Sequence, residues 1–98
     1  NQVPAFHFNL GNAYRGAGRF DSAASAFREA VRLDPLFHPA YTNMGYVLHK
    51  LGRLSEAESN FRNAVALNAD ITRTHSGLGR VFQAQGKFGE AAVSYQRA

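Results

Sequence analysis

The strongest constraint on this chain is a period of 34 residues. Gly11, Gly45 and Gly79 fall on it, and so do Gly18, Gly52 and Gly86, which accounts for six of the nine glycines. Other columns keep the same step: Ala23, Ala57 and Ala91; Phe27, Phe61 and Tyr95; Ala30, Ala64 and Ala98; Arg19, Arg53 and Lys87; Phe20, Leu54 and Phe88. Repetition at this length marks stacked supersecondary units, each burying its apolar face on its neighbours. That suits a chain of 98 residues, for which a single compact core would be marginal.

Each unit reads as two helices. Phe6, Leu10, Ala13, Tyr14 and Ala17 recur at helical spacing and predict one apolar face. Gly18 closes that helix, since glycine takes the left-handed conformation at low cost. Asp21 is placed to cap the next helix, and Ser55 with Glu58 reads as a capping box. Ala23, Ala24, Phe27, Ala30 and Val31 form the inward stripe of the second helix, and Asp34-Pro35 ends it. The spacing predicts helices near 4–17, 21–33, 38–51, 55–67, 72–85 and 89–98. Gly11, Gly45 and Gly79 then sit in mid-helix, where glycine costs roughly 0.5–1 kcal/mol. The expected return is close approach of the paired helix, with Tyr14 and Phe27 filling the space between.

The motif His7-x₂-Leu10-Gly11-x₂-Tyr14, with Ala23-x₃-Phe27 and Pro35, resembles the tetratricopeptide repeat family in everything but its tryptophan. Tyr41-x₂-Met44-Gly45-x₂-Leu48 with Ala57-x₃-Phe61 repeats the pattern, Ala69 replacing the proline. His75-x₂-Leu78-Gly79-x₂-Phe82 with Ala91-x₃-Tyr95 gives a third unit, which reaches Ala98 within its second helix. The resemblance implies an all-α, right-handed superhelical array of antiparallel helix pairs. Its units would span about 4–37, 38–71 and 72–98. It also implies protein–protein interaction rather than catalysis, on a concave face lined by the first helix of each pair.

On that geometry the groove is lined by Ala5, Phe8, Asn9, Asn12, Arg15 and Gly16, then Pro39, Thr42, Asn43, Tyr46, His49 and Lys50, then Arg73, Ser76, Gly77, Arg80, Gln83 and Ala84. None is acidic. All seven acidic residues fall in turns or second helices, so the groove is positive and polar. Asn9 and Asn43 hold equivalent places, as in the asparagine ladder of the repeat arrays attached to O-linked N-acetylglucosamine transferases, with Gly77 interrupting the third rung. Asn12, Asn43 and Arg73 match three of the five positions by which co-chaperone repeat domains clamp an acidic chaperone tail; Phe8 and Gly77 replace the other two cations. Asn9, Asn12 and Asn43 are expected to hold a peptide backbone, since an amide both donates and accepts. Arg15, Lys50, Arg73 and Arg80 would attract acidic groups, and Tyr46 would anchor an apolar side chain. Three first helices ~8–10 Å apart make a groove for roughly 6–9 extended residues at ~3.3 Å each.

The expected partner is a polar or acidic peptide or protein, consistent with a net charge of +4. Two alternatives use the same residues. One is a scaffold segment stacking end to end through an edge that includes Ala91, Ala92 and Tyr95. The other, weaker, is single-stranded nucleic acid or another polyanion, held by the groove cations with Phe8 and Tyr46 as stacking rings. No apolar run approaches the ~18–20 residues that span a bilayer, and Asn1 to Arg15 lacks the pattern of a signal peptide. The absence of cysteine excludes disulfides and a thiolate nucleophile. No two of His7, His38, His49 and His75 stand at i,i+3 or i,i+4, so no metal or other cofactor is expected. Gly77-Leu78-Gly79 and Gly86-Lys87-Phe88 lack the context of a nucleotide fingerprint or phosphate loop.

Overall fold

In a computed structural model, residues 3–67 and 72–97 are described, together with their side chains except those of Phe88, Ala91 and Tyr95. The turn carrying Ala69, and Ala98, lie outside the described residues. Six helices follow in order: α1 Val3–Gly16, α2 Phe20–Leu33, α3 His38–Lys50, α4 Leu54–Leu67, α5 Thr72–Ala84 and α6 Phe88–Arg97. Each starts and ends within one residue of its expected place. No strand occurs among the described residues.

Backbone bonds, rather than side-chain caps, make the turns within each pair. Gly18 has φ +77°. Arg19 N donates to Tyr14 O at 2.9 Å and Gly18 N to Arg15 O at 3.0 Å, the double bond of a Schellman turn. The turns at Gly52 and Gly86 repeat both bonds. This geometry carries the chain into α2 at Phe20, with Arg19 at the N-cap and no side-chain cap bond. The expected caps are therefore corrected. Asp21 lies in the first turn and pairs with Arg53 at 3.8 Å. Ser55 is already inside α4, and Glu58 turns instead to Arg62 at 2.9 Å and Lys87 at 3.4 Å. Between pairs, Asp34 is extended and its Oδ1 accepts from Leu36 N at 3.1 Å, which ends α2 as expected.

The mid-helix glycines make room for a ring. A Cβ on Gly11 would lie 2.6 Å from the Phe27 ring, and one on Gly45 2.7 Å from that of Phe61. Both phenylalanines are fully buried beside the equally buried Ala23, Ala30, Ala57 and Ala64. Full burial of such a side chain gives about 1.5–3 kcal/mol, which exceeds the glycine penalty of roughly 0.5–1 kcal/mol. Gly79 is buried too.

The inner layer is made of first helices. Among the described residues α1 touches α3 and α3 touches α5, whereas α2, α4 and α6 make no contact with one another. The array therefore closes toward α1, α3 and α5 and spreads on the other side. One expectation fails on α1: Phe6 is 62% exposed, and Ala13 and Ala17 are exposed as well. The equivalents of Phe6 and Ala13 on α3, Ala40 and Val47, are buried because a preceding helix pair packs on them.

Candidate functional site

Three polar side chains from three successive first helices form one line across the inner layer. Arg73 Nη1 on α5 donates to Asn43 Oδ1 on α3. Asn43 Nδ2 donates in turn to Asn12 Oδ1 on α1 at 2.8 Å. Asn43 is only 4% exposed, so this pairing meets the need of a buried amide for partners. Asn9, the columnar equivalent of Asn43, is exposed, and no hydrogen bond among the described residues ties it to this line. The structure thus joins Asn43 to Asn12 rather than to Asn9.

Tyr46 fixes Arg73. The phenol donates to the Arg73 carbonyl at 2.5 Å, and the guanidinium stacks 4.6 Å from the ring centroid. Arg80 approaches the same ring at 6.0 Å. Beneath, Tyr46 meets the buried Phe61 edge-on at 5.0 Å. The anchor residue is thereby part of a stack running from the core to two cations. Burial pulls the Arg73 guanidinium below its ordinary pKa; Arg15 adds to this and Tyr46 opposes it.

Beside this stack is a notch of about 170 Å³ lined by Arg15, Phe20, Tyr46, Val47, Lys50 and Arg73. Its walls bring together four of the expected site residues. Phe20 and Val47 give it an apolar floor under three cations. No acidic residue occurs in α1, α3 or α5. The ion pairs among the described residues join Arg32 to Glu29, Arg53 to Asp21, and both Arg62 and Lys87 to Glu58. Arg15, Lys50, Arg73 and Arg80 enter none of them. His49 feels the same field: burial, Lys50 and Arg80 all lower its pKa.

Several expected groove residues belong instead to the seams between helices. Phe8 packs against Phe27 at 5.8 Å and Phe37 at 5.1 Å. Thr42 is 3% exposed, and its hydroxyl shares a 2.9 Å hydrogen bond with that of the fully buried Thr74. Gly77 is buried beneath the Phe61 ring, on which Gly45 also closes. The seams were hidden from column reading because neighbouring first helices are staggered. Their bonds join residues 30, 31 and 32 apart rather than a full period.

Paired helices with one polar inner face define a helical-repeat scaffold. More narrowly, the chain belongs to the tetratricopeptide repeat family, whose model matches residues 8–70 and 42–98. This is a protein-interaction fold, generally without catalysis. Among solved structures it is similar to the first TPR of Spaghetti (RPAP3) bound to HSP90 peptide SRMEEVD, with 30% identity and a TM-score of 0.96 over 98% of this chain and 76% of that one. The first TPR domain of human RPAP3 gives 29% identity and 0.94 over the same shares. MamA, at 19% identity and 0.93, shares the fold; this chain spans 56% of it. No curated protein matches the chain.

Proposed function

We propose that this chain is a protein-interaction module that lays an extended peptide, polar or acidic in character, across the inner face of α1, α3 and α5. The observation that carries this reading is the line Asn12–Asn43–Arg73 beside a notch whose cations have no carboxylate partner among the described residues. The half-buried Asn12 amide keeps donor capacity for a peptide backbone, while the buried Asn43 orients Asn12 and Arg73 on either side of it. A guanidinium held on a tyrosine ring presents a forked donor to a carboxylate with little freedom left to lose. The apolar floor at Phe20 and Val47 takes an aliphatic side chain next to that carboxylate.

The similarity to the first TPR of Spaghetti supports an acidic ligand, since SRMEEVD carries two glutamates and an aspartate. Two features set this groove apart. Phe8 and Gly77 stand where a chaperone clamp has cations, and both are spent on packing. Charge recognition then rests on Arg15, Lys50, Arg73 and Arg80. No catalytic role is proposed.

The test is fluorescence anisotropy with labelled SRMEEVD and with the same peptide carrying Gln and Asn for its acidic residues. The acidic peptide should bind at least about tenfold more tightly. Arg73→Glu with Arg80→Glu should remove that difference, mainly through a slower association rate. Equal binding of both peptides, or of neither, overturns the acidic reading.

A further inference from the structure

Three cations from three helices line one small notch. Arg15 of α1, Lys50 of α3 and Arg73 of α5 surround about 170 Å³, with Phe20 and Val47 as its floor. None of the three pairs with a carboxylate among the described residues, whereas Arg32, Arg53, Arg62 and Lys87 each do. Tyr46 keeps Arg73 in place, holding its carbonyl at 2.5 Å and its guanidinium at 4.6 Å from the ring centroid. The charges lie close enough to act on one another. Burial lowers the Arg73 pKa, and Arg15 adds to this against Tyr46. Burial lowers that of His49 too, and Lys50 and Arg80 add to it. Gathering these cations costs the fold like-charge repulsion, which an anion of matching charge relieves.

The kind of anion follows from the count. A carboxylate brings one negative charge and two oxygens, too few for three cations. A phosphate monoester brings a charge of about −1.5 to −2 at pH 7 and three acceptor oxygens. Arg15 and Arg73 can each offer it a forked pair of donors, and Lys50 a point charge. Phosphothreonine also carries a methyl group beside its phosphate, and Phe20 and Val47 give that methyl an apolar seat.

Other carriers of phosphate fit less well. A single nucleic-acid strand needs free rings on which to stack its bases. Phe8 is engaged by Phe27 and Phe37, and Tyr46 by Arg73, Arg80 and Phe61. Free phosphate would use neither the apolar floor nor the line Asn12–Asn43–Arg73 beside it.

We propose that the notch is a phosphothreonine site, with Arg15, Lys50 and Arg73 on the phosphate of an extended peptide and Phe20 and Val47 under its methyl group. The inference rests on the peptide-binding reading of the inner face and narrows it to a modified ligand.

Fluorescence anisotropy on the 98-residue chain tests this with a labelled peptide Ser-Ala-Val-X-Val-Ala-Ser, blocked at both ends. X is phosphothreonine, phosphoserine, glutamate or threonine, so one side chain supplies all the negative charge and finds its own register. Phosphothreonine should bind at least about tenfold more tightly than glutamate. Phosphoserine, without the methyl, should bind about threefold more weakly than phosphothreonine. Arg15→Gln with Lys50→Gln should erase the advantage of phosphothreonine over glutamate, with folding checked by circular dichroism. Inorganic phosphate and a single-stranded thymidine oligonucleotide should displace the peptide only at concentrations at least about tenfold above the unlabelled phosphopeptide. Phosphothreonine no tighter than glutamate overturns the inference, and the acidic-peptide reading survives if glutamate still exceeds threonine. Glutamate and threonine binding alike is instead the failure of that reading. An unchanged ratio in the double variant, phosphoserine equal to phosphothreonine, or easier displacement by phosphate or oligonucleotide would each overturn the site as assigned.

Discussion

The Tyr46 ring carries the Arg73 guanidinium at 4.6 Å while its hydroxyl holds the Arg73 carbonyl at 2.5 Å, so one side chain fixes both the charge and the backbone of its neighbour. The two contacts separate experimentally. Tyr46→Phe keeps the stack and loses the hydrogen bond, which should cost about 0.5–1.5 kcal/mol in urea denaturation with little change in peptide affinity. Tyr46→Leu loses the stack as well and should weaken an acidic peptide. Equal peptide binding by both variants would show that the stacked ring does not serve recognition.

Gly45→Ala and Gly77→Ala each drive a Cβ into the Phe61 ring. Each should destabilise by about 1–3 kcal/mol through overpacking, and Phe61→Leu in the same chain should recover part of the loss. Additive double mutants would argue against contact with the ring. Gly45→Leu should unfold the array. Gly16→Ala is the contrast, since nothing lies within 4 Å of its Cβ and its φ is not positive. It should gain about 0.4–1 kcal/mol.

Thr74→Val leaves the buried Thr42 hydroxyl with only its 3.4 Å approach to the His38 carbonyl. The expected cost is about 1–3 kcal/mol. Thr42→Val with Thr74→Val should cost less than the two single changes summed. A strictly additive thermal denaturation series would remove the bond from the account of this seam.

His49 gives a pH dependence of known sign. Burial first, then Lys50 and Arg80, lower its pKa from the ordinary 6.5. The unfolded chain therefore binds the proton more readily than the folded one. Stability from the neutral ring is complete above pH 6.5 and falls as the pH drops through 6.5 toward the lowered value. Urea midpoints at pH 7.5 and pH 5.5 should differ more in the wild type than in His49→Gln. An equal difference would assign the acid sensitivity to other groups.

Helix placement was legible because glycine and alanine columns repeat wherever a ring or a positive φ demands them, as at Gly11 and Gly18. Caps were not, because Asp21 and Ser55 have the chemistry of caps yet sit just past turns that backbone bonds had already closed. The polar inner face could be read from the absence of acidic residues in three helices. Which of its residues meet could not, because column arithmetic pairs Asn9 with Asn43, whereas the stagger of the helices pairs Asn12 with Asn43 and Asn43 with Arg73. Phe8 and Gly77 misled for the same reason: a seam residue and a groove residue can be adjacent in a helix and share its polarity pattern.

Phe61 lies between Gly45 of its own pair and Gly77 of the next, and this has a mechanical consequence. The ring is a hinge pin: the distance between α3 and α5 is fixed by the thickness of a phenyl group seated in two missing side chains. At the joint before it, Phe27 meets Gly11, while the column of Gly77 is occupied by Asn43. The two joints of the array are therefore built differently: at one a ring is shared between two glycines, at the other the place of the second glycine is taken by an amide bonded to Asn12. The curl of the inner face is thus set from behind, by the buried rings of Phe27 and Phe61.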